Sequence, residues 1–290
     1  MADLSAAIFV FVLGTVVGSF LNVLIYRLPR EESIVAPPSH CPACGRRLAP
    51  LDLVPLVSFL ALGRKCRYCR APIGWRYFVV ELLTGMAFVG AWLTSPQVWT
   101  QGAPAIAGVV AKLIFAALLI AIFFIDLEHM IIPDELVLTG LGVGLALDIA
   151  GLLLWHEALV SIHVPATAWV LRLPQSVVGA VVGAAFFLVI EGFSQLVFRK
   201  EGMGGGDLKL GAAIGAMFGP RLALLSFGLA VVAGAVVGAA LMIARRRGRQ
   251  DYIPFGPFMV VTAFAIMLFP TAIWSAMEKT YLAWRSTWAG

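Results

Sequence analysis

The chain has 290 residues, of which 61% are hydrophobic and only 13% are charged. Soluble globular domains contain roughly 45–50% apolar and about 25% charged residues, so this composition excludes an ordinary soluble domain. It predicts an all-α polytopic membrane protein. The formal net charge of +5 fits membrane topology and contact with anionic lipids better than nucleic-acid binding, and no nucleic-acid partner is predicted.

Apolar segments long enough to cross a bilayer recur along the whole chain. A bilayer core of about 30 Å needs roughly 20 apolar residues per helix, and by that measure the sequence predicts about eight transmembrane helices. They are Ala6 to Ile25, Tyr77 to Leu93, Ala105 to Ile125, Glu135 to Trp155, Gln175 to Phe198, Leu208 to Phe218, Leu222 to Ala244 and Phe255 to Trp274. The sixth is short, so it is expected to be a half-helix or to tilt and thin the bilayer.

The first span is expected to be a retained helix, since no basic segment precedes it and no small-residue cleavage site follows it before Tyr26. Orientation follows from the lysines and arginines. With the N-terminus outside, sixteen of the 21 basic residues fall on the side that holds the loops after spans one, five and seven. The first loop is therefore predicted to lie in the cytoplasm.

That first loop contains all four cysteines of the chain, as Cys41 and Cys44 in CPAC and as Cys66 and Cys69 in CRYC. Each C-x-x-C turn points two sulfurs at one ion, and 21 residues separate the two pairs, one more than the usual spacing of such zinc sites. Disulfides are the alternative, but a reducing cytoplasm disfavours them. A structural zinc ion bound by four thiolates is predicted, because an ion would fold a proline-rich loop that has few core residues.

Two aspartates are predicted to lie on the cytoplasmic side at the membrane boundary. Asp126 follows the third span in FFIDLEHMIIPDEL, and Asp207 follows the glycines of EGMGGGDLKL. An aspartate at that depth is costly unless it is paired or faces water, so it is a functional candidate. Two close carboxyls cannot both ionise, and a pair of this kind can act as general acid and general base to hydrolyse a peptide bond. The glycines between Gly202 and Gly206 would let the backbone approach an extended substrate, and a helix is expected to start at Leu208.

Simpler interpretations remain open for the separate pieces. Asp207 could merely cap the sixth span, and Asp134 is expected to be the N-cap of the fourth. Asp126 and His129 are on one helical face if the helix continues, and together they could hold a metal. The intramembrane charges, for which the sequence names no partner and which are expected to be packing or relay groups, are Glu81, Lys112, Asp148 and Glu191.

Six stretches together resemble a known family, the type IV prepilin peptidases, which are bifunctional membrane enzymes of pilus assembly and type II secretion. These stretches are GSFLNVLIYRLP at Gly18 to Pro29, the paired CPAC and CRYC, WRYFVVELLTG at Trp75 to Gly85, IDLEHMIIPD at Ile125 to Asp134, GGGDLKLGAAIGAMFG at Gly204 to Gly219 and IPFGPFM at Ile253 to Met259. The family is sometimes grouped with presenilin-like proteases by its glycine-x-glycine-aspartate motif. Residues 156–172 look like an added segment between spans four and five, with no assigned role.

The resemblance implies that Asp126 and Asp207 are the catalytic pair of an aspartic endopeptidase in the bacterial inner membrane. It implies cleavage of a short basic leader from prepilins and pseudopilins after a glycine, on the cytoplasmic face. It further implies methylation of the new N-terminal residue with S-adenosylmethionine as methyl donor, since relatives limited to peptidase activity lack the N-terminal part. No residue of this sequence is assigned to the methyl-donor site, and neither the particular prepilin nor the oligomeric state follows from it.

Three domains or segments are expected: a first transmembrane helix at 1–26, a cytoplasmic four-cysteine zinc domain at 27–76 and a multi-helix membrane domain with the peptidase site at 77–290. One alternative function is a proton-coupled transporter, with the two aspartates as relay groups and the glycines marking a broken helix. No internal repeat supports it, and the aspartates fall at helix ends rather than at the midplane. Another alternative, a membrane-anchored zinc scaffold, gives the aspartates no role.

Overall fold

The computed structural model describes residues 4–95, 102–155, 159–163, 170–198, 204–244, 254–273 and 275–276. These residues form helices and one β-hairpin. The helices are α1 (Leu4–Arg27), α2 (Val57–Ala61), α3 (Trp75–Leu93), α4 (Ala103–His129), α5 (Asp134–Ala150), α6 (Gln175–Phe198), α7 (Gly205–Ile243) and α8 (Gly256–Leu268), and the strands are β1 (Leu159–His163) and β2 (Val170–Pro174). The basic residues expected at 199–200 and 245–249 lie outside the described ranges.

Six described helices, α1 and α3 to α7, are long and apolar enough to cross a membrane, and α8 is a shorter apolar helix. Their outer faces carry large exposed apolar side chains, such as Leu138, Leu188 and Val236. Such side chains fit contact with lipid, since a soluble surface rarely exposes apolar patches of this extent. The expectation of a mostly helical, multi-pass membrane protein is confirmed.

Helix α7 contains both the sixth and the seventh predicted spans, separated at Gly219. This glycine has φ 74° and ψ 172°, and Pro220 follows it. Phe187 of α6 packs against Gly211 before the break, and its ring centroid lies 5.0 Å from that of Phe227 after the break. Gly211 and Phe227 would be about 24 Å apart in a straight helix, so the chain reverses at Gly219. The two halves of α7 are antiparallel. When they are counted separately, the described apolar helices agree with the predicted number of about eight.

Glycines allow two pairs of helices to approach each other closely. On α6 and α7, Gly179 lies against the backbone of Gly215, and Gly183 lies against that of Gly211. A Cβ atom on Gly179, Gly183 or Gly215 would overlap the opposing backbone, and one on Gly211 would overlap the Phe187 ring. This is the packing typical of small-xxx-small motifs in membranes. On α1, Gly18 lies against Glu81 of α3, where an added Cβ would be 2.7 Å from the Glu81 Cα atom.

Helix α4 forms the centre of the helix bundle, because it packs against α1, α3, α5 and α8. Its buried side chains include Phe115, Leu119, Ile122 and Ile125. The helix ends at His129, where Met130 takes a left-handed conformation and its N–H donates to the Asp126 carbonyl at 2.9 Å. This type of C-cap closes a helix firmly, so the position of Asp126 near the end of α4 is well defined.

The four intramembrane charged residues of uncertain role have partners in the structure. Glu81 accepts the Leu56 N–H at 2.8 Å, Lys112 donates to Ser95 at 2.9 Å, and Asp148 accepts the Ser176 N–H. Glu191 accepts from Gln195 at 2.7 Å. The last three pairs join residues near helix ends or along one helix, as expected for packing groups, whereas Glu81 links α3 to the first loop.

The sequence predicts that residues 156–172 are an added segment with no assigned role. The described part of this region is a two-stranded antiparallel hairpin in which Leu159 pairs with Pro174 and His163 with Val170. The hairpin connects α5 to α6 at the end of the bundle opposite Asp126. Residues 156–158 and 164–169 lie outside the described ranges.

Candidate active site and metal centre

Asp126 lies in the last full turn of α4 and is 5% exposed. Its carboxyl faces the N-terminus of α8, where the backbone N–H of Gly256 interacts with it. The Oδ2 atom is buried and has no hydrogen-bond partner among the described residues. A buried acceptor without a partner is rare in folded proteins and calls for a ligand, a water molecule or a proton. Oδ2 of Asp126 is therefore the atom at which such a partner would bind.

Asp207 is the third residue of α7 and is 7% exposed. The helix begins at Gly205 with Gly204 as its N-cap, so the expected start at Leu208 is wrong by three residues, and the N-cap role considered for Asp207 is taken by Gly204. The Asp207 carboxyl reaches back to the Gly204 backbone. Acidic residues are favoured at this third position, because they satisfy a free N–H of the first turn.

The structure brings the two aspartates together. Asp207 at the start of α7 interacts electrostatically with Asp126 near the end of α4, although 81 positions separate them in the sequence. Ile132, in the turn between α4 and α5, packs against both Gly206 and Gly256 and so lies next to both aspartates. Three helix ends and one turn thus converge on one pair of carboxyls at a single end of the bundle.

Gly256 belongs to the IPFGPFM stretch, in which the sequence predicts no site residue. The structure places it against Asp126. A Cβ atom on this residue would overlap Oδ2 of Asp126, so any residue other than glycine would displace the carboxyl. The available signal is a glycine followed by Pro257 at a helix start, a combination that marks a close backbone approach.

Two ion pairs flank the aspartates. Lys209 donates to Asp134 at 2.7 Å, and Arg76 of α3 donates to Glu128 of α4 at 2.7 Å. The N-cap role expected for Asp134 is wrong: Pro133 is the N-cap, and Asp134 is the first residue of α5, where it holds the start of α7. These pairs tie α3, α5 and α7 to the end of α4 that carries Asp126.

The sequence leaves open a metal ion bound by Asp126 and His129. Within the described residues, the four cysteines form the one group of three or more potential metal ligands that the structure brings together. The Nε2 atom of His129 instead lies 4.0 Å from Oε2 of Glu128. Among the residues that the structure describes, no third potential ligand joins Asp126 and His129.

The four cysteines converge, with their sulfur atoms all within 4.8 Å of one another. The Sγ atoms of Cys41 and Cys69 are 3.8 Å apart, and neighbouring sulfurs of a tetrahedral zinc–thiolate site are also about 3.8 Å apart when the Zn–S bonds are about 2.3 Å. All four thiols are free. The geometry therefore fits a single tetrahedral ion better than two disulfides, whose sulfurs are about 2.05 Å apart.

The two cysteine turns have the same construction. In one, the Gly45 N–H donates to the Cys41 carbonyl at 2.8 Å; in the other, the Arg70 N–H donates to the Cys66 carbonyl at 3.0 Å. Backbone N–H groups of Cys69 and Tyr68 point at the Cys66 sulfur and lower the pKa of the Cys66 thiol to about 7. For Cys69 the Ala71 N–H acts in the same direction, but burial and the neighbouring sulfurs outweigh it and raise the pKa of that thiol to about 11. Of these two thiols, Cys66 is the more readily converted to the thiolate, which is the metal-binding form of cysteine.

The cysteine loop is anchored to the membrane helices. Phe59 of α2 packs between Trp75 and Phe78 of α3, with ring centroids 5.3 and 5.2 Å away. The Leu56 N–H reaches Glu81 one turn further along α3. The loop therefore has a fixed position over the ends of α1 and α3.

Two family models match the chain. The Bacterial Peptidase A24 N-terminal domain matches residues 12–95, and the Type IV leader peptidase family matches residues 113–239. The first match includes the four cysteines, and the second includes both aspartates. No solved structure matched the chain.

Similar curated proteins cover nearly the whole chain. A prepilin leader peptidase/N-methyltransferase of Aeromonas hydrophila is 33% identical over 288 residues, which is 91% of this chain and 91% of that protein. The same-named protein of Pseudomonas aeruginosa is 33% identical over 93% of this chain and 91% of its own length. The same-named protein of Myxococcus xanthus is 38% identical over 83% of this chain, and the match spans 64% of that longer relative.

Proposed function

Since the chain belongs to the type IV leader peptidase family, we propose that it cleaves the leader peptide from prepilins and pseudopilins and then methylates the new N-terminus. The enzyme is a prepilin leader peptidase and N-methyltransferase. The observation that carries the peptidase assignment is the pair of buried, interacting carboxyls of Asp126 and Asp207 at one end of the bundle. Family membership favours this function over a proton-coupled transporter.

Asp126 and Asp207 act as the general acid and general base of peptide hydrolysis. One carboxyl holds the shared proton and delivers it to the leaving amine, while the other, as carboxylate, takes a proton from the attacking water. The unpaired Oδ2 of Asp126 is the group best placed to exchange that proton. Gly204, Gly205 and Gly206 leave the backbone beside Asp207 free of Cβ atoms, so an extended substrate chain can lie against it.

Cys41, Cys44, Cys66 and Cys69 hold one zinc ion, which is structural because all four positions are taken by protein sulfur. The ion joins the two matched turns to each other. Residues 27–76 form this zinc domain, between the first transmembrane helix and the membrane domain that contains the aspartates.

The enzyme lies in the bacterial inner membrane with its aspartates and zinc domain toward the cytoplasm. The excess of lysine and arginine on that side supports this orientation. Its partners are prepilins, pseudopilins and the surrounding membrane lipids, with no nucleic acid. S-adenosylmethionine, when bound, supplies the methyl group to the new N-terminal amine.

A mass measurement tests both activities. Purified protein is incubated with a prepilin peptide, with and without S-adenosylmethionine. The mass of the mature part is expected to appear after cleavage and to rise by one methyl group only when the donor is present. An unchanged peptide in both reactions would contradict the proposed function.

A further inference from the structure

A cavity of about 500 Å³ lies between the end of α1, the start of α3 and the cysteine loop. Its volume is in the range of about 300–1,000 Å³ that is usual for small-molecule sites. Cys41 and Cys66, the two buried members of the metal group, form part of its wall. The cavity therefore exists only while the cysteine loop is folded over the membrane helices.

Two groups of opposite charge line this cavity without being paired to each other. Glu81 is 9% exposed, and its carboxyl accepts hydrogen bonds from neutral groups, the Leu56 N–H and Ser19. Arg27 is 5% exposed and donates to the carbonyl oxygens of Ser33 and Pro37. Neither residue takes part in an ion pair among the described residues, unlike Asp52 and Arg67 in the same wall, which pair at 2.6 Å.

A buried charge is normally paired, because removing it from water is expensive. An acidic and a basic group that face one cavity, each without a countercharge, fit a ligand that carries both a positive and a negative group. An amino-acid zwitterion is such a ligand. Arg27 suits its carboxylate, and Glu81 suits a cationic ammonium or sulfonium.

Asn22 supplies a second, independent sign of a missing partner. It lines the cavity, is 4% exposed and donates through Nδ2 to the Tyr77 carbonyl at 3.0 Å. Its Oδ1 has no hydrogen-bond partner among the described residues. Tyr26 and Phe59 add aromatic surface to the wall, and such surface stacks readily on a nucleobase.

The cavity is next to the proposed cleavage site. Arg76, one residue before the cavity-lining Tyr77, is paired with Glu128, which is two residues from Asp126. Helix α3, which lines the cavity, is thus tied by this ion pair to the end of α4 that carries Asp126.

We propose that this cavity binds S-adenosylmethionine, with Arg27 at its carboxylate and with Glu81 and Asn22 at its ammonium group, both of which S-adenosylhomocysteine retains. The inference rests on the proposed methyltransferase function and assigns its donor site. A donor site here makes methylation depend on the loop with the four cysteines, since the folded cysteine turns form part of its wall.

Direct binding tests the inference without any turnover. Isothermal titration measures the affinity of S-adenosylhomocysteine for the detergent-purified full chain. Photo-cross-linking with labelled S-adenosylmethionine, followed by peptide mapping, locates the donor. Glu81→Gln is expected to weaken binding at least tenfold while it keeps an acceptor for the Leu56 N–H. Val23→Trp, which fills the cavity from α1, is expected to abolish binding.

Controls separate this inference from the proposed function. Asp126→Asn is expected to bind the donor like the unaltered protein although it does not cleave, and Glu191→Gln, an acid outside the cavity, is expected to bind it normally. Cleavage and zinc content of Glu81→Gln and Val23→Trp report that each variant is folded. If the unaltered protein cleaves but neither binds a donor nor methylates, the methyltransferase function fails.

Three results would overturn only the site. One is unchanged affinity in both cavity variants together with normal methylation by the unaltered protein. Another is cross-linking to peptides of α4 or α7 rather than to residues 19–27, 39–62 or 66–81, which contain the cavity wall. The third is a co-purifying lipid in the cavity that S-adenosylhomocysteine does not displace.

Discussion

At the scale of single residues, the two aspartates have different surroundings. Asp126 faces the N-terminus of α8 and has an unpaired oxygen, whereas Asp207 lies in the first turn of α7 and contacts the Gly204 backbone. Unequal environments are what two carboxyls need in order to divide the roles of acid and base. Loss of either carboxyl should therefore stop the proton transfer that peptide hydrolysis requires.

Asp126→Asn and Asp207→Asn are each expected to lower the rate of cleavage by about 10²–10⁴-fold or more, because asparagine keeps the shape of the side chain but cannot exchange a proton. The double variant is expected to be little worse than either single one, because the pair acts as a unit. The rate is measured on a prepilin peptide by mass spectrometry, with thermal unfolding as the check on folding.

Asp134→Asn is the matched control, since Asp134 lies at the same end of the bundle but is half-exposed and paired with Lys209. Exposed ion pairs contribute only about 0–1 kcal/mol, so this variant is expected to cleave almost normally. Normal cleavage by Asp126→Asn or Asp207→Asn would move the active site elsewhere.

Gly256→Ala is expected to impair cleavage, because the added Cβ overlaps the Asp126 carboxyl. Forced overlap costs typically 1–3 kcal/mol, and we expect the rate to fall at least about tenfold, equivalent to about 1.4 kcal/mol in the barrier. Gly142→Ala on α5 is the control, since a Cβ there meets nothing within 4 Å. Equal rates for the two variants would show that Gly256 does not shape the site.

At the scale of helices, glycine contacts fix the α6–α7 pair, and with it Asp207 at the start of α7. Alanine normally stabilises a helix relative to glycine by about 0.5–1 kcal/mol. That sign is expected to reverse wherever the new methyl group meets opposing backbone. Helix α7 contains glycines of both kinds, those that contact an opposing backbone and those that do not. The effect of alanine on stability can therefore be compared within this one helix.

Gly215→Ala is expected to lower the temperature of unfolding, because its Cβ would overlap the carbonyl of Gly179. Gly228→Ala, in the second half of the same helix, is expected to leave it unchanged or raise it, since a Cβ there meets open space. Thermal unfolding in one detergent measures both variants. The same direction of change in both would contradict the close packing of α6 against α7.

At the scale of the whole molecule, the loop with the four cysteines lies over the ends of α1 and α3, while the aspartates belong to α4 and α7. The two regions meet through the Arg76–Glu128 pair and the contacts of α4 with α1 and α3. Loss of the zinc domain should therefore affect the two activities unequally.

Cys66→Ser is expected to lose zinc, because a structural site with four thiolates does not tolerate a missing ligand. About one equivalent should co-purify with the unaltered protein by elemental analysis. Methyl transfer is expected to fall much further than cleavage, since the wall of the donor cavity is lost while the aspartates stay on packed membrane helices. Full methylation by the zinc-free variant would show that this loop neither forms nor supports the donor site, whereas equal loss of both activities would mean that it also positions the substrate.

The sequence by itself determined the features that depend on local pattern. Hydrophobic length located the membrane helices, as in Gln175 to Phe198, whose predicted ends match those of α6. The spacing of the cysteines selected one four-ligand group, and the position of Asp126 and Asp207 beside apolar runs marked them as unusual. Each of these signals arises within about twenty neighbouring residues, where solvent and hydrogen-bonding requirements act on the chain directly.

Only the tertiary structure decided what lies across helices. The interaction of Asp126 with Asp207, the close approach of Gly256, the reversal at Gly219 that puts Gly211 and Phe227 against one phenylalanine, and the unpaired charges of Glu81 and Arg27 around one cavity all join distant parts of the chain. Sequence patterns indicate how hydrophobic or flexible a segment is, but not which helix faces pack against each other. That choice is made by packing among many helices of nearly equal hydrophobicity, where small residues and a few buried polar groups select the contacts.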